Sequence, residues 1–303
     1  MSDELKAARR PLRGVVALLL GFTLAAVAAG AFLVFKKPAP IDVRVTFNPG
    51  ETLRYHMVMD VSGVTLSGTS PTPTEDEIQA DVAWRVVGVD PSGTATIVQS
   101  VTNPTMTSNG QPVTLSGLPP ATLTVGADGT LRTSSGVNLF SGGAPGPAQA
   151  GIARPLPFLP DHPVGPGETW STQVSQAFWG SALTYHATST FLRREKLGSA
   201  DAAVIESDAT VPVDVTVKVA DFAGVLALPS GRIPNGATAT YVGSLTDTTT
   251  TSWIDPATGS LLKTLSRGTF SMQLSLRGFP KSVLTGSGTA TLSGELSLQL
   301  TRI

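Results

Sequence analysis

Cysteine is absent from all 303 residues, which excludes disulfides, thiolate nucleophiles, cysteine-based zinc sites and a lipid anchor attached through an N-terminal cysteine. Charge is scarce, at 14% of the chain, and aromatic residues make up only 6%. The Glu, Lys, Gln and Ala runs that build long helices are missing after residue 40. Of the 21 lysines and arginines, Lys6, Arg9, Arg10, Arg13, Lys36 and Lys37 flank an apolar run near the start, so that beyond Pro38 fifteen basic residues face twenty acidic ones. That sign argues against nucleic acid or an anionic membrane surface as the main partner. What is abundant is Thr, Ser, Val and Leu, with 31 Gly and 23 Pro, a composition of strands and turns.

The apolar run, Gly14 to Phe35, carries no charge over 22 residues and at helical rise spans about 33 Å, the thickness of a bilayer's hydrocarbon core. Four basic residues precede it, which favours a cytoplasmic N-terminus and an exported remainder. Ala26-Val27-Ala28 offers a small-x-small cleavage site for a signal peptide, but Phe32 to Phe35 carry the apolar run past it, and the anchor is the preferred reading. The expected organisation is a cytoplasmic leader (1–13), a transmembrane helix or uncleaved signal (14–35), a first β-unit (41–140), a connector rich in Pro, Gly and Ala (141–165) and a second β-unit (166–303).

Apolar and polar residues alternate with period two from Leu53 to Val61, from Val211 to Val219, from Phe270 to Leu276 and from Leu292 to Leu300. This is the pattern of antiparallel strands with one buried face, and no helical period separates them. Turn residues fall between the runs at Asp90-Pro91-Ser92-Gly93, Asn109-Gly110, Asp128-Gly129, Asn235-Gly236 and Asp255 to Gly259. The Pro-rich, acidic stretch Ser70 to Glu77 reads as a solvated loop interrupting the first unit.

The same order of signals occurs twice. Pro49-Gly50-Glu51-Thr52 returns as Pro166-Gly167-Glu168-Thr169; Gly93 to Val98 is echoed by Asp201 to Ile205, and Thr124 to Leu131 by Trp253 to Leu261. A duplicated β-unit is the expected cause. A competing match, Leu53-Arg54-Tyr55-His56 with Leu183-Thr184-Tyr185-His186, implies a different register. The expected fold is therefore an all-β exported domain, internally duplicated, with curved antiparallel sheets forming a half-barrel or clam.

The paired openings Asn48 to Tyr55 and Val164 to Trp170 resemble those of an uncharacterised family of bacterial envelope proteins. The resemblance covers roughly residues 43 to 280 and implies an export signal or anchor followed by a duplicated β-rich domain. At fold level the pattern is also similar to the half-barrels that carry lipoproteins and lipids in the envelope, and this implies a concave face for acyl chains.

Catalytic patterns are missing, and no cofactor or metal is expected. His56, His162 and His186 lack the i, i+4 partner of a zinc hydrolase helix. Ser260-Leu261-Leu262-Lys263 matches Ser-x-x-Lys, but it enters a strand, where residues three apart point to opposite faces. Glu75-Asp76-Glu77 reads as a solvated charge run rather than a cation site. Glu51 and Glu168 follow Pro-Gly turns and read as turn residues. Burial of Val211, Val213, Val215, Val217 and Val219 is worth about 7 to 8 kcal/mol, so core packing alone accounts for that stripe.

The bulky aromatics outside clean alternation, Phe158, Phe178, Trp179 and Phe222, are the candidate ligand-binding residues. They either plug the sheet as ordinary core or meet an apolar partner. The chain is thus expected to be a membrane-anchored, extracytoplasmic and non-enzymatic binding module for an apolar ligand or envelope partner. The alternatives are a structural component of an envelope complex and an enzyme with a dispersed site, for which Asp161, His162 and Glu168 would have to converge in a cleft.

Overall fold

In the computed structural model the described residues are 39–67, 70–113, 120–135, 156–178, 181–219, 234, 236–279 and 288–303. The expected transmembrane helix and leader lie outside them, and among the described residues no helix is long and apolar enough to cross a membrane. Everything from Pro40 onward forms one unit.

The unit is built of antiparallel strands: β1 (Thr52–Ser67), β2 (Ser70–Val89), β3 (Ala95–Ser108), β4 (Gln111–Val113), β5 (Ala121–Val125), β6 (Leu131–Ser135), β7 (Thr169–Phe178), β8 (Ser181–Leu197), β9 (Ala200–Lys218), β10 (Thr238–Asp255), β11 (Ser260–Arg277) and β12 (Thr289–Arg302). They make a single sheet in the order β6-β5-β3-β2-β1-β12-β11-β10-β9-β8-β7, with the short β4 beside β3. The two halves of the chain are stitched where the last strand pairs with the first, from Tyr55↔Arg302 to Leu66↔Thr291.

The sheet rolls up. Ten inter-strand steps of about 4.8 Å would hold the edges of a flat sheet about 48 Å apart, yet Cα atoms of β6 and β7 come within 8 Å of each other without pairing. Glycines permit part of the bend. Gly63 and Gly294 face each other across β1 and β12, where the two backbones approach so closely that a methyl group at Gly294 would overlap the Ser62 carbonyl oxygen and stand 2.6 Å from Cα of Gly63, with Phe270 Cζ next at 2.8 Å.

Rolling creates an inner face. Leu53, Tyr55, Met57 and Met59 project into it from β1, Leu296, Leu298 and Leu300 from β12, and the valine stripe from β9, all buried in one core that runs through both halves.

One end of the roll, the floor, is where β1 begins. Two extended segments outside the sheet close it. Residues 41–47 alternate, burying Val43, Val45 and Phe47 and exposing Asp42, Arg44 and Thr46. Residues 156–164 bury Leu156, Phe158, Leu159 and Val164. Ile41 and Val164 bridge the two segments. Thr46 N–H donates to Gly259 in the β10–β11 turn, and Leu159 N–H to Asp128 in the β5–β6 turn. Each buried apolar side chain is worth about 1.5–3 kcal/mol relative to exposure, which holds segments lacking a full strand ladder.

The reading of Ser70 to Glu77 as a loop is corrected: it is the first part of β2, paired residue by residue with β1 from Ser67↔Ser70 to Ser62↔Glu75. Prolines fit because of parity. Glu75 turns its N–H and C=O toward Asn109 at the β3–β4 turn, so Pro71 and Pro73 turn their missing N–H to the same side, beyond the last β3 pair at Asp76↔Ser108.

The two Pro-Gly-Glu-Thr segments share one geometry. Gly50 and Gly167 have φ of 83° and 85°, as the third position of a Pro-Gly turn requires. Gly50 N–H donates to Val86 and Val86 N–H to Glu51, as Gly167 does to Phe191 and Phe191 to Glu168. Directly after each of those pairs one residue is bulged out, Val87 from β2 and Leu192 from β8. Arg132 of β6 and Leu262 of β11 are likewise extra in their pairings.

Candidate functional site

On β1, β3, β11 and β12 exposure along the inner face follows a gradient, whereas β9 and β10 stay buried to the far end at Val217, Ala239 and Tyr241. Near the floor Tyr55, Met57, Ile97 and Leu300 are fully buried. Toward the opposite end Val61 of β1, Met106 of β3, Leu274 and Leu276 of β11 and Leu292 of β12 are only partly buried, packed against the core on one side. This rim is apolar and faces inward: Val61, Leu274, Leu276 and Leu292 keep the parity of the buried residues on their own strands, and Met106 is turned inward by the register shift in β3 between Asp81↔Thr102 and Gln79↔Thr105. Val61 is opposite Leu296, Leu292 is opposite Met272, and Met106 is opposite Ile78. An inward-facing apolar surface of this kind is chemically suited to an alkyl chain.

Polar groups on the inner face are few and mostly paired. Ser189 and Ser207 lie 2.7 Å apart, Thr250 and Ser266 2.9 Å, and Ser252 and Thr264 3.2 Å, all buried hydroxyl pairs across neighbouring strands. They satisfy one another, which removes the cost of burying them. Trp84 donates its indole N–H to Gln99 Oε1 at 3.2 Å. Burial raises the Tyr55 phenol well above its ordinary range, and its hydroxyl donates to the Leu261 carbonyl.

Phe158 acts as part of the floor. Its ring meets Tyr185 edge-on at 6.2 Å, its carbonyl accepts from Trp170 Nε1 at 3.1 Å, and 4% of it is exposed. Phe178 ends β7, where its backbone pairs with Ser181; its side chain lies outside the described residues, as do Trp179 and Phe222. Phe158 therefore belongs to the floor and not to the rim. The rim residues escaped the sequence because each reads as an ordinary member of an alternating strand, and only the β1–β12 pairing brings Val61 beside Leu296 and Leu292 within reach.

Asp161, His162 and Glu168 do converge. His162 Nδ1 is 2.8 Å from Asp161 Oδ1 and its Nε2 is 3.6 Å from Glu168 Oε1. The cluster sits on an open turn, with the Asp161 side chain fully exposed and that of His162 half exposed. The hydrogen bond with Asp161, reinforced by the charges of Asp161 and Glu168, raises the His162 pKa. Glu168 Oε2 also accepts from Gly165 N–H, as Glu51 Oε2 does from Asn48 N–H, so both glutamates close their own turns.

On the outer face His56 Nδ1 lies 3.1 Å from Asp81 Oδ1. Hydrogen bonds from Asn103 and then His56 hold the Asp81 carboxyl below its usual range. His186 is exposed. Among the described residues no group of three or more His, Cys, Asp or Glu is arranged so that it could hold a metal ion.

No protein-family model and no curated protein matches the chain. Among solved structures it is similar to DynF from the dynemicin biosynthesis pathway of Micromonospora chersina, at 9% identity and a TM-score of 0.25, over 88% of this chain and 92% of that one. It is also similar to a DUF1329 family protein from Desulfovibrio piger, at 8% identity and a TM-score of 0.16, over 82% and 85%. A third is a domain described as an outer membrane lipoprotein-sorting protein from Vibrio parahaemolyticus, at 12% identity and a TM-score of 0.15, over 82% and 83%. At these scores no residue role or activity is carried across.

Proposed function

We propose that the chain is a membrane-anchored, extracytoplasmic binding module that holds an apolar ligand on the inner face of its rolled sheet, without catalysing a reaction. The observation that carries this is the exposure gradient: on β1, β3, β11 and β12 the apolar surface that is buried near the floor is partly exposed toward the far end. A sheet evolved only for stability gains by sealing both ends. Anchorage rests on the 22-residue uncharged run from Gly14 to Phe35 and the basic residues before it.

Full-length protein extracted from its membrane and treated with organic solvent should release about one apolar molecule per chain, quantified by mass spectrometry. Leu292→Glu together with Met106→Glu should empty it. A yield no higher than the detergent blank would end this reading. For topology, protease added to intact spheroplasts should digest the β-unit and spare an N-terminal tag; the reverse pattern would refute export.

We infer further that the halves descend from one duplicated unit, β1-β2-β3-β5-β6 and β7-β8-β9-β10-β11, with β12 joining them. Support comes from the paired turns with the same hydrogen bonds, and from the bulges at Val87 and Leu192 and at Arg132 and Leu262. In this register β1 corresponds to β7, so the Tyr55 and Tyr185 likeness is coincidence.

A second reading, an assembly component of an envelope complex, is favoured by the edges of β6 and β7, which have no paired neighbour on their outer side among the described residues and could accept a partner strand. Crosslinking in intact cells tests it: a reproducible partner attached at β6 or β7 supports it, and its absence counts against it.

A further inference from the structure

Two buried side-chain atoms among the described residues lack a hydrogen-bond partner, Asp76 Oδ1 and Gln99 Nε2. Both project inward. Gln99 already serves Trp84 through its oxygen, so its free N–H₂ is the unused half of an amide that the core needs. Asp76 has no such employment.

The acidic run Glu75-Asp76-Glu77 is split by the strand. Alternation sends Glu75 and Glu77 to the exposed outer face, while Asp76 keeps the parity of Ile78, Ala80 and Val82 and turns inward. There it stands opposite Val61 on one side and Ser108 on the other, one rung from Met106, which pairs with Ile78. Of the inward-facing residues on β1, β2 and β3 among those described, Asp76 alone carries a formal charge. A carboxylate oxygen withdrawn from water without a donor is costly, and an apolar surface is the least favourable place for it unless something arrives to pair with it.

We propose that Asp76 selects the ligand: the rim receives an amphiphile with a cationic, hydrogen-bond-donating head, such as a primary ammonium, bound at Asp76, and an alkyl chain laid over Val61, Met106 and Leu292. This rests on the apolar-ligand reading above and narrows it. A head of this kind supplies both the charge and the donor that Asp76 lacks, and an ammonium–carboxylate pair at a partly desolvated rim is a stronger contact than a neutral one. An anionic head meets Asp76 at short range and is rejected.

The test uses full-length protein in detergent micelles and three probes with the same chain, dodecylamine, dodecanol and dodecanoate, each radiolabelled and measured by equilibrium partition. Wild-type protein should retain dodecylamine best and dodecanoate least. Asp76→Asn, which keeps the side-chain shape, should lower dodecylamine retention about tenfold and leave dodecanol unchanged. Glu77→Gln on the outer face should leave the order intact. Because the micelle is common to all proteins, differences between them report the site. The proposal is overturned if dodecylamine is held no better than dodecanoate, if the preference survives Asp76→Asn, or if Glu77→Gln removes it equally. Loss of dodecanol binding in the wild type would instead bring down the apolar-ligand reading, and this inference with it.

Discussion

Trp84 and Gln99 form a buried pair in which each residue covers part of the other's cost: the indole N–H has an acceptor, and the amide has at least one partner. Trp84→Phe strips Gln99 of that partner and leaves a whole amide unsatisfied, at about 1–3 kcal/mol beyond the lost packing. The double variant Trp84→Phe with Gln99→Met removes both polar groups. It should therefore be more stable than Trp84→Phe alone in urea unfolding, although it departs further from the native sequence. Equal or lower stability of the double variant would show that the pair is not coupled.

At the same scale, the clasp on the turn before β7 gives a pH dependence. The His162 pKa is raised above 6.5, so its contribution to stability is complete below 6.5 and is lost as pH rises through the folded value. The Asp161 pKa is lowered from 3.8, so its share is present above 3.8 and is lost as pH falls through its folded value. His162→Gln should thus lower the melting temperature slightly between those two values and have no effect in alkaline solution. A difference that grows with pH would contradict the ion-pair assignment.

Among the elements, the bend between β1 and β12 depends on the absence of side chains at Gly63 and Gly294, where the facing strand's backbone and then the Phe270 ring take up the space a side chain would need. Gly294→Ala should cost about 1–3 kcal/mol through overpacking. Gly88→Ala, where a methyl group meets nothing within 4 Å, should stay within about 0.5 kcal/mol of wild type. Chemical denaturation of the two variants side by side checks this, and similar losses would argue against a tight bend.

The elements were also where the sequence was most and least legible. Val211 to Val219 and Phe270 to Leu276 alternate so regularly that burial on one face follows from spacing alone, and the positive φ of Gly50, Gly93 and Gly129 falls where turn residues announced it. Ser70 to Glu77 misled because proline and acidic residues ordinarily oppose a strand. Nothing local reveals that the β3 side of that segment is open. The rim was illegible for a related reason: Val61, Met106 and Leu292 belong to three strands, and the pairing of first strand with last is a fact of topology.

For the molecule as a whole, a single sheet wound until β6 approaches β7, closed at one end by two extended segments and partly exposed along β1, β3, β11 and β12 at the other, supports the proposal that it holds something narrow and apolar. The acidic bias beyond Pro38 and the inward Asp76 then disfavour an anionic occupant. The most direct test is photolabelling of the full-length protein in its native membrane with a dodecyl chain carrying a terminal diazirine, followed by peptide mapping. Beyond the expected label in residues 14–35, the account requires a second cluster on inward-facing positions of β1, β3, β11 and β12, at Val61, Met106, Leu274 and Leu292. Label confined to residues 14–35, or scattered over outward positions such as Val58 and Val242, would contradict it.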